Sequence, residues 1–243
     1  MASTIYANTA DGYVYHTSNN WNITHDAATG TSADSNDTAT HLAIETKSAA
    51  AGRSTNYYIR RAYFTFDVSD IDIAPSAATL KIYGYTDGTA QTTGDIIAIE
   101  GTYTGASALS TGDFDSFTGY QASWDSGDVT AYSSELTSWN NADWNSITLN
   151  ATALAKMASA SILSIVLMNH DFDYSDVSPL VGRSHNNESN GLMWADNSGT
   201  SKDPKIEYTP GGYPNDPLGQ DMDNEDYKVN GVSSEDIKRI IGG

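Results

Sequence analysis

Residues 60–85 read RRAYFTFDVSDIDIAPSAATLKIYGY and carry the strongest structural signal in the chain. Residues 60–68 alternate apolar and polar side chains, the pattern of a half-buried strand with Phe64 and Phe66 facing the core. Residues 78–85 alternate in the same way, and Pro75 ahead of them predicts a turn. We therefore predict a two-strand unit at the centre of the fold, with one face of each strand turned outward.

Further strand-forming runs recur along the chain, each bounded by Gly, Asn, Asp, Ser or Pro. They cover residues 13–16, 42–47, 95–103, 146–149, 162–169, 192–195 and 205–208. So many short strands predict an all-β protein, an antiparallel jelly-roll-like β-sandwich. Helix signals are few, and Asn150 is the expected N-cap of one short helix over residues 151–158.

The composition changes at about residue 210, where PGGYPNDPLG precedes an acidic stretch. We place a domain boundary there, between a jelly-roll domain of residues 1–210 and an extended C-terminal tail of residues 211–243 that serves for attachment. A serine can cap a short helix over residues 235–241 at the end of this tail. The predicted assembly contact is the apolar stripe of that helix, Ile237, Ile240 and Ile241.

The net charge narrows the classes of partner, and the absence of cysteine narrows the possible chemistry. The chain has 31 acidic and 12 basic residues, which gives a formal charge of −19. This charge repels phosphate backbones and anionic lipid headgroups, so we expect no nucleic acid and no membrane as partner. The chain has no cysteine, which removes disulfide and thiolate chemistry. The first residues have neither a basic nor an apolar segment, so we expect no signal peptide.

Carboxylates that follow a predicted strand are the best candidates for cation binding. Asp171, Asp173 and Asp176 come directly after the strand at residues 162–169. Because Ca²⁺ takes about six to eight oxygen ligands from flexible loops, these three residues are the candidate ligands of a structural Ca²⁺. We expect no other cofactor. The alternative is that Asp simply populates the turns of an acidic surface.

Aromatic side chains near predicted loops indicate a second candidate site. Exposed aromatic rings can stack on the C–H groups of sugars, with amides and carboxylates beside them. Trp139, Trp144, Asn141 and Asp143 are the best group of this kind and are the candidate glycan ligands. The alternative is that the tryptophans belong to the core or to a subunit interface, where large aromatic residues are common.

Residues that would indicate an enzyme are not grouped in the sequence. The histidines His16, His25, His41, His170 and His185 are scattered, and no Gly-x-Ser-x-Gly motif is present. Hydrolysis needs a nucleophile with a base, or two carboxylates at a fixed separation. We therefore expect a non-catalytic protein.

Three blocks of the sequence, taken in order, resemble the DNRLRE-type β-sandwich domains. They are the stretch at residues 60–85, ITLN at residues 147–150 with the helix and ILSIVLMNHD after it, and DPKIEYT at residues 203–209. The resemblance covers residues 1–209, although the string that names the family is absent. It implies a jelly-roll-like sandwich similar to carbohydrate-binding modules, with no catalytic residues.

The resemblance also implies a biological setting, because such domains recur in secreted bacterial surface proteins and in structural proteins of tailed phages. KVNGV at residues 228–232, followed by Asp236 and Ile237, is similar to linkers of phage virion proteins. We expect a structural protein of a phage particle, a capsid decoration or a head- or tail-associated subunit, located in the virion and assembled in the host cytoplasm. Its expected partners are other virion proteins and copies of itself. The alternative is a carbohydrate-binding or adhesive surface module whose partners are surface glycans.

Overall fold

The structure is a computed structural model of the 243-residue chain. It describes residues 2–35, 37–51, 54–86, 95–180, 187–196, 198–212, 228–229 and 232–233. Contacts divide the chain into two compact units, Met1–Pro210 and Gly211–Gly243. In the second unit, Lys228–Val229 pairs antiparallel with Val232–Ser233. The predicted tail helix over residues 235–241 and its stripe of Ile237, Ile240 and Ile241 lie outside the described residues.

Strands are the main regular elements of the first unit. Its described strands, in chain order, are β1 Ser3–Tyr6, β2 Gly12–Ser18, β3 Ser32–Asp34, β4 Ala39–Ala51, β5 Ser54–Asp67, β6 Ala77–Tyr83, β7 Ile96–Glu100, β8 Trp144–Thr148, β9 Ile162–Asn169, β10 Asn187–Met193 and β11 Lys205–Thr209. Its helical segments are α1 Trp21–His25, a 3₁₀ turn at Thr111–Asp113, α2 Ala151–Met157 and a π-helical turn at His170–Tyr174. Helix α2 begins where it was predicted, because the Asn150 side chain accepts a hydrogen bond from the Ala153 N–H.

The strands form two antiparallel sheets. The smaller sheet has the order β1-β11-β6-β8. In the larger sheet, one edge of β5 pairs with β2, while the other edge pairs with β4 along its first half and with β9 along its second half. Strand β7 continues this sheet beyond β9, β10 pairs with β4, and β3 pairs with β2. The prediction of an all-β antiparallel sandwich with few helices is confirmed.

Both strands predicted at residues 60–85 are present, as β5 and β6. They do not pair with each other, because β5 lies in the larger sheet and β6 in the smaller one. Phe64 and Phe66 of β5 instead meet Leu80 and Ile82 of β6 across the first hydrophobic core. Facing sheets bury the apolar sides of both strands against each other, which a hairpin of the same two strands does not achieve.

A second hydrophobic core lies on the opposite face of β5. Tyr63 packs there with Ile99 of β7, Val166 of β9 and aromatic residues from the long connection between β7 and β8, Phe114, Phe117 and Trp124. The prediction that β5 is half-buried is therefore wrong, since Arg61 and Tyr63 on this face are both 0% exposed. The connection over residues 101–143 covers the face that the alternation assigned to the exterior.

Candidate functional site

Arg61 is a fully buried cation at the centre of the second core. It projects from β5 and meets Asp173 of the π-helical turn, with Nε 2.9 Å from Oδ2 and Nη2 2.7 Å from Oδ1. Its Nη1 donates to the Phe114 carbonyl at 2.9 Å, and its guanidinium lies 4.1 Å from the centre of the Phe114 ring. Burial on its own lowers the pKa of Arg61, but the charge of Asp173 and its hydrogen bonds to Arg61, aided by nearby tyrosines, together outweigh this effect and the pKa is raised. Arg61 therefore stays charged inside the protein.

His25 completes this buried centre, and we refer to Arg61, Asp173 and His25 together as the Arg61 centre. The His25 ring is 0% exposed and stacks on Trp124, with ring centroids 4.2 Å apart. Its Nε2 lies 2.9 Å from the Asp173 carbonyl oxygen and its Nδ1 lies 2.7 Å from Asp26 Oδ1. The Arg61 centre thus joins β5, α1, the π-helical turn and the connection between β7 and β8.

The amino-acid sequence gives little indication of the Arg61 centre. Its members come from positions 25, 61 and 173, and only the fold brings them together. The one local signal is the spacing of Trp21 and His25, which are four residues apart and therefore share a helical face. In the structure their rings stack with centroids 5.5 Å apart.

The structure does not bring the three predicted Ca²⁺ ligands together. Both carboxylate oxygens of Asp173 accept hydrogen bonds from Arg61. Asp176 Oδ1 accepts from the Trp21 indole N–H at 2.9 Å. Asp171 is exposed, and its Oδ1 lies 3.0 Å from His170 Nδ1. Asp171 and Asp173 belong to the π-helical turn and Asp176 follows it, and the hydrogen-bond partners of the three carboxylates are His170, Arg61 and Trp21 in that order.

Asp171 belongs instead to an acidic cluster at the end of β9, made of Asp95, Glu135, His170, Asp171 and Glu188. Within the sets Glu135–His170–Asp171 and Asp95–Asp171–Glu188, one ligand atom of each residue lies within 4.8 Å of those of the others. Burial, aided by the neighbouring carboxylates, raises the pKa of Asp95 and of Glu188. These residue types and spacings could hold a hard cation, but none of the five side chains is fully buried.

Three of the four predicted glycan ligands line one cleft. The cleft has a volume of about 530 Å³ and lies where the chain enters β8. We call it the aromatic cleft, and its lining consists of Leu136, Ser138, Trp139, Asn140, Asn141, Trp144, Asn145 and Ser146. The fourth predicted residue, Asp143, is not part of this lining, and its Oδ1 accepts from the Trp144 backbone N–H at 2.7 Å. Asp143 therefore helps to start the strand that carries Trp144.

Residues that do not line the aromatic cleft fix the positions of its two indole rings. The Trp139 N–H donates to the Gly191 carbonyl at 3.1 Å. Trp144 packs edge-to-face on Tyr83, with centroids 5.5 Å apart, and Lys205 Nζ lies 4.7 Å from the centre of its ring. Both tryptophans remain partly exposed. Fixed, partly exposed rings of this kind can stack on an apolar face of a ligand, and the amides beside them can form hydrogen bonds with the polar groups of that ligand.

The other three tryptophans of the chain have the alternative role considered for tryptophan, that of core residues. Trp21, Trp124 and Trp194 are all buried, at 7%, 1% and 1% exposure. Trp194 lies in the first core and stacks on Phe64, while Trp21 and Trp124 lie in the second. The sequence could not separate these three core residues from the pair in the aromatic cleft.

The fold and these sites define a class of protein, an all-β antiparallel sandwich with an open cleft lined by two tryptophans. Among the described residues no helix is long and apolar enough to span a membrane. No model of a known protein family matches the chain, and a search of curated proteins also finds no match.

Proposed function

We propose that this protein is a non-catalytic structural subunit of a phage particle, a capsid decoration or a head- or tail-associated protein. The observation that carries the proposal is the Arg61 centre. Its charged groups point inward and bind one another, so they stiffen the long connections of the sandwich instead of meeting a substrate. The resemblance of residues 1–209 to DNRLRE-type domains supports the same role.

The way in which the sandwich is stabilised is compatible with assembly inside a bacterial cell. Two hydrophobic cores and a buried ion pair hold the described part of the first unit together, and the chain has no cysteine. Such a domain folds in the reducing host cytoplasm, where phage particles assemble. The partners in this proposal are other virion proteins and copies of the chain itself, reached through the tail of residues 211–243.

The test is incorporation into particles. We expect the full chain to co-purify with intact particles through a density gradient, and the chain lacking residues 212–243 to remain folded and absent from them. Replacing Ile237, Ile240 and Ile241 by Ser should have the same effect. The matched control is Ile162→Ser, at an exposed Ile of the sandwich. Recovery of the full chain only as free protein, without particles, would exclude the structural role.

A second function, carbohydrate binding, is favoured by the aromatic cleft. Trp139 and Trp144 line the same cleft with the amides of Asn140, Asn141 and Asn145. A volume of about 530 Å³ is within the usual range for small-ligand pockets and accommodates sugar residues. A subunit on the outside of a particle that bound surface glycans would combine both functions.

Glycan binding is tested on an array of bacterial surface glycans. Trp144→Ala and Trp139→Ala should each abolish binding, whereas Trp144→Phe should retain part of it because a ring face remains. Ile23→Ala is the control, since Ile23 is exposed and does not line the cleft. Absence of binding at millimolar sugar, or unchanged binding by both alanine variants, would exclude this function.

A further inference from the structure

Two buried aspartates lie where the N-terminal and C-terminal strands of the sandwich meet. Asp11 lies between β1 and β2 and is 1% exposed, and Asp203 lies just before β11 and is 6% exposed. Aspartate is seldom buried to this extent without a partner. The burial of these two carboxyl groups therefore needs an explanation.

Backbone contacts bring three segments together around these aspartates. The Ala7 N–H donates to the Pro204 carbonyl at 2.8 Å, next to Asp203. The Ala195 N–H donates to Asp11 Oδ2 at 3.0 Å, which brings residues 194–196 beside Asp11. Asp196, the following residue, adds a third carboxylate whose charge acts on Asp11.

Each buried aspartate has one oxygen without a hydrogen-bond donor. Asp11 Oδ1 and Asp203 Oδ1 are both inaccessible to solvent and accept no hydrogen bond from the described part of the chain. A buried carboxylate oxygen without a donor is costly, and two carboxylates of like charge add repulsion. Burial raises the pKa of both groups, and for Asp11 the nearby Asp196 and Asp203 raise it further.

We propose that Asp11 and Asp203 are ligands of a Ca²⁺ ion that joins the turn between β1 and β2 to the segment before β11, with Asp196 adding negative charge nearby. Ca²⁺ binds carboxylate and carbonyl oxygens, and its charge removes the repulsion between the carboxylates. This site is separate from the acidic cluster at the end of β9, whose side chains are all at least partly exposed. The proposal does not depend on the role in a phage particle.

The experiment measures Ca²⁺ binding to the full chain by titration calorimetry and thermal unfolding, starting from protein freed of metal with EDTA. We expect a single site, and at a free Ca²⁺ concentration about 100 times Kd we expect the Tm to rise by about 5–10 °C. Asp203→Asn should abolish both effects. The same variant should unfold no earlier than the wild type in EDTA, because one of the repelling charges is gone.

The control is Asp171→Asn, which alters the acidic cluster and leaves Asp11 and Asp203 intact. It should retain the Ca²⁺-dependent rise in Tm. Loss of that rise in Asp171→Asn, together with its persistence in Asp203→Asn, would place the ion in the acidic cluster and overturn the proposal. A wild-type protein that shows no binding of Ca²⁺, or that is stabilised only by acid through a proton shared between the two aspartates, would also overturn it. If Asp203→Asn fails to fold, Asp11→Asn replaces it in the same comparison.

Discussion

At the scale of the residue, Arg61 is the group with the largest consequences for stability. Among charged side chains of the described structure, Asp173 alone lies within hydrogen-bond distance of Arg61 and compensates its charge. The Phe114 and His25 carbonyls accept one further hydrogen bond each, from Nη1 and Nη2. Desolvation makes a buried ion pair a weak source of net stability, but removing one partner leaves an isolated charge in the core. The two members of the pair therefore depend on each other.

This dependence predicts the outcome of a double-mutant cycle. Asp173→Asn should lower the free energy of unfolding by about 3–5 kcal/mol, because Arg61 then remains charged without its partner. The double variant Arg61→Met with Asp173→Asn should cost less than the sum of the two single variants, as measured by urea denaturation. Lys205→Met is the control, since the half-exposed Lys205–Glu207 pair should contribute at most about 1 kcal/mol. Additive effects at Arg61 and Asp173 would contradict the assigned interaction.

The buried Asp11 predicts a specific pH dependence in calcium-free solution. Its pKa is raised above the ordinary value of 3.8 in the folded protein, mainly by burial, so the folded state binds this proton more tightly than the unfolded state. The associated stability is fully present below the unfolded pKa and is lost as the pH rises through the higher folded pKa. The free energy of unfolding of Asp11→Asn should accordingly fall less than that of the wild type as the pH rises above the ordinary pKa of 3.8 and through the raised pKa of the folded state. Parallel curves for the two proteins would show that Asp11 does not titrate in this way.

At the scale of the element, β5 determines where the other strands lie. It pairs with β2, β4 and β9, and it supplies side chains to both cores. Its alternating residues are therefore the positions at which a loss of volume affects the packing most directly.

The core positions of β5 give a further stability prediction. Phe64→Ala and Phe66→Ala should each lower the free energy of unfolding by about 3–5 kcal/mol, because both rings are 0% exposed and leave a cavity. Chemical denaturation measures the loss, and Ile162→Ala at an exposed position should cost far less. A loss below about 1 kcal/mol at both phenylalanines would contradict the core assignment.

The strands were largely predictable from the sequence, because alternation is a local property. Each of the predicted runs overlaps a strand of the structure, and Asn150 correctly predicted α2. Strands β1 and β3 were missed because they have only four and three residues, and helix α1 because its five residues make little more than one helical turn. The second face of β5 was misassigned because the residues that cover it come from a distant connection.

How far each candidate site was predictable depended on whether its residues are close together in the sequence. Trp139, Asn141 and Trp144 are close in the chain, so a local pattern found them and the fold kept them in one cleft. Asp171 and Asp173 are also close in the chain, yet a helical turn directs one to solvent and the other to Arg61. Asp11 and Asp203 are far apart in sequence, and no pattern within the chain links them.

At the scale of the whole molecule, the described residues of both hydrophobic cores belong to the first unit. All residues of the two hydrophobic cores, as far as the structure describes them, lie between residues 5 and 208. The chain lacking residues 212–243 should therefore unfold with a Tm within about 2–4 °C of that of the full chain, as measured by circular dichroism. An aggregated or partly unfolded truncated protein would show that the tail is required for folding.

The two buried faces of β5 also determine how the first unit unfolds. Tyr63 lies in one core and the adjacent Phe64 in the other, on a single strand. Neither core can open fully while β5 keeps its place in the other, so the sandwich should melt in one cooperative transition without a half-folded intermediate. Native-state hydrogen exchange should then give the amides of both residues the same opening free energy, that of global unfolding. One strand thereby makes the two cores a single cooperative unit.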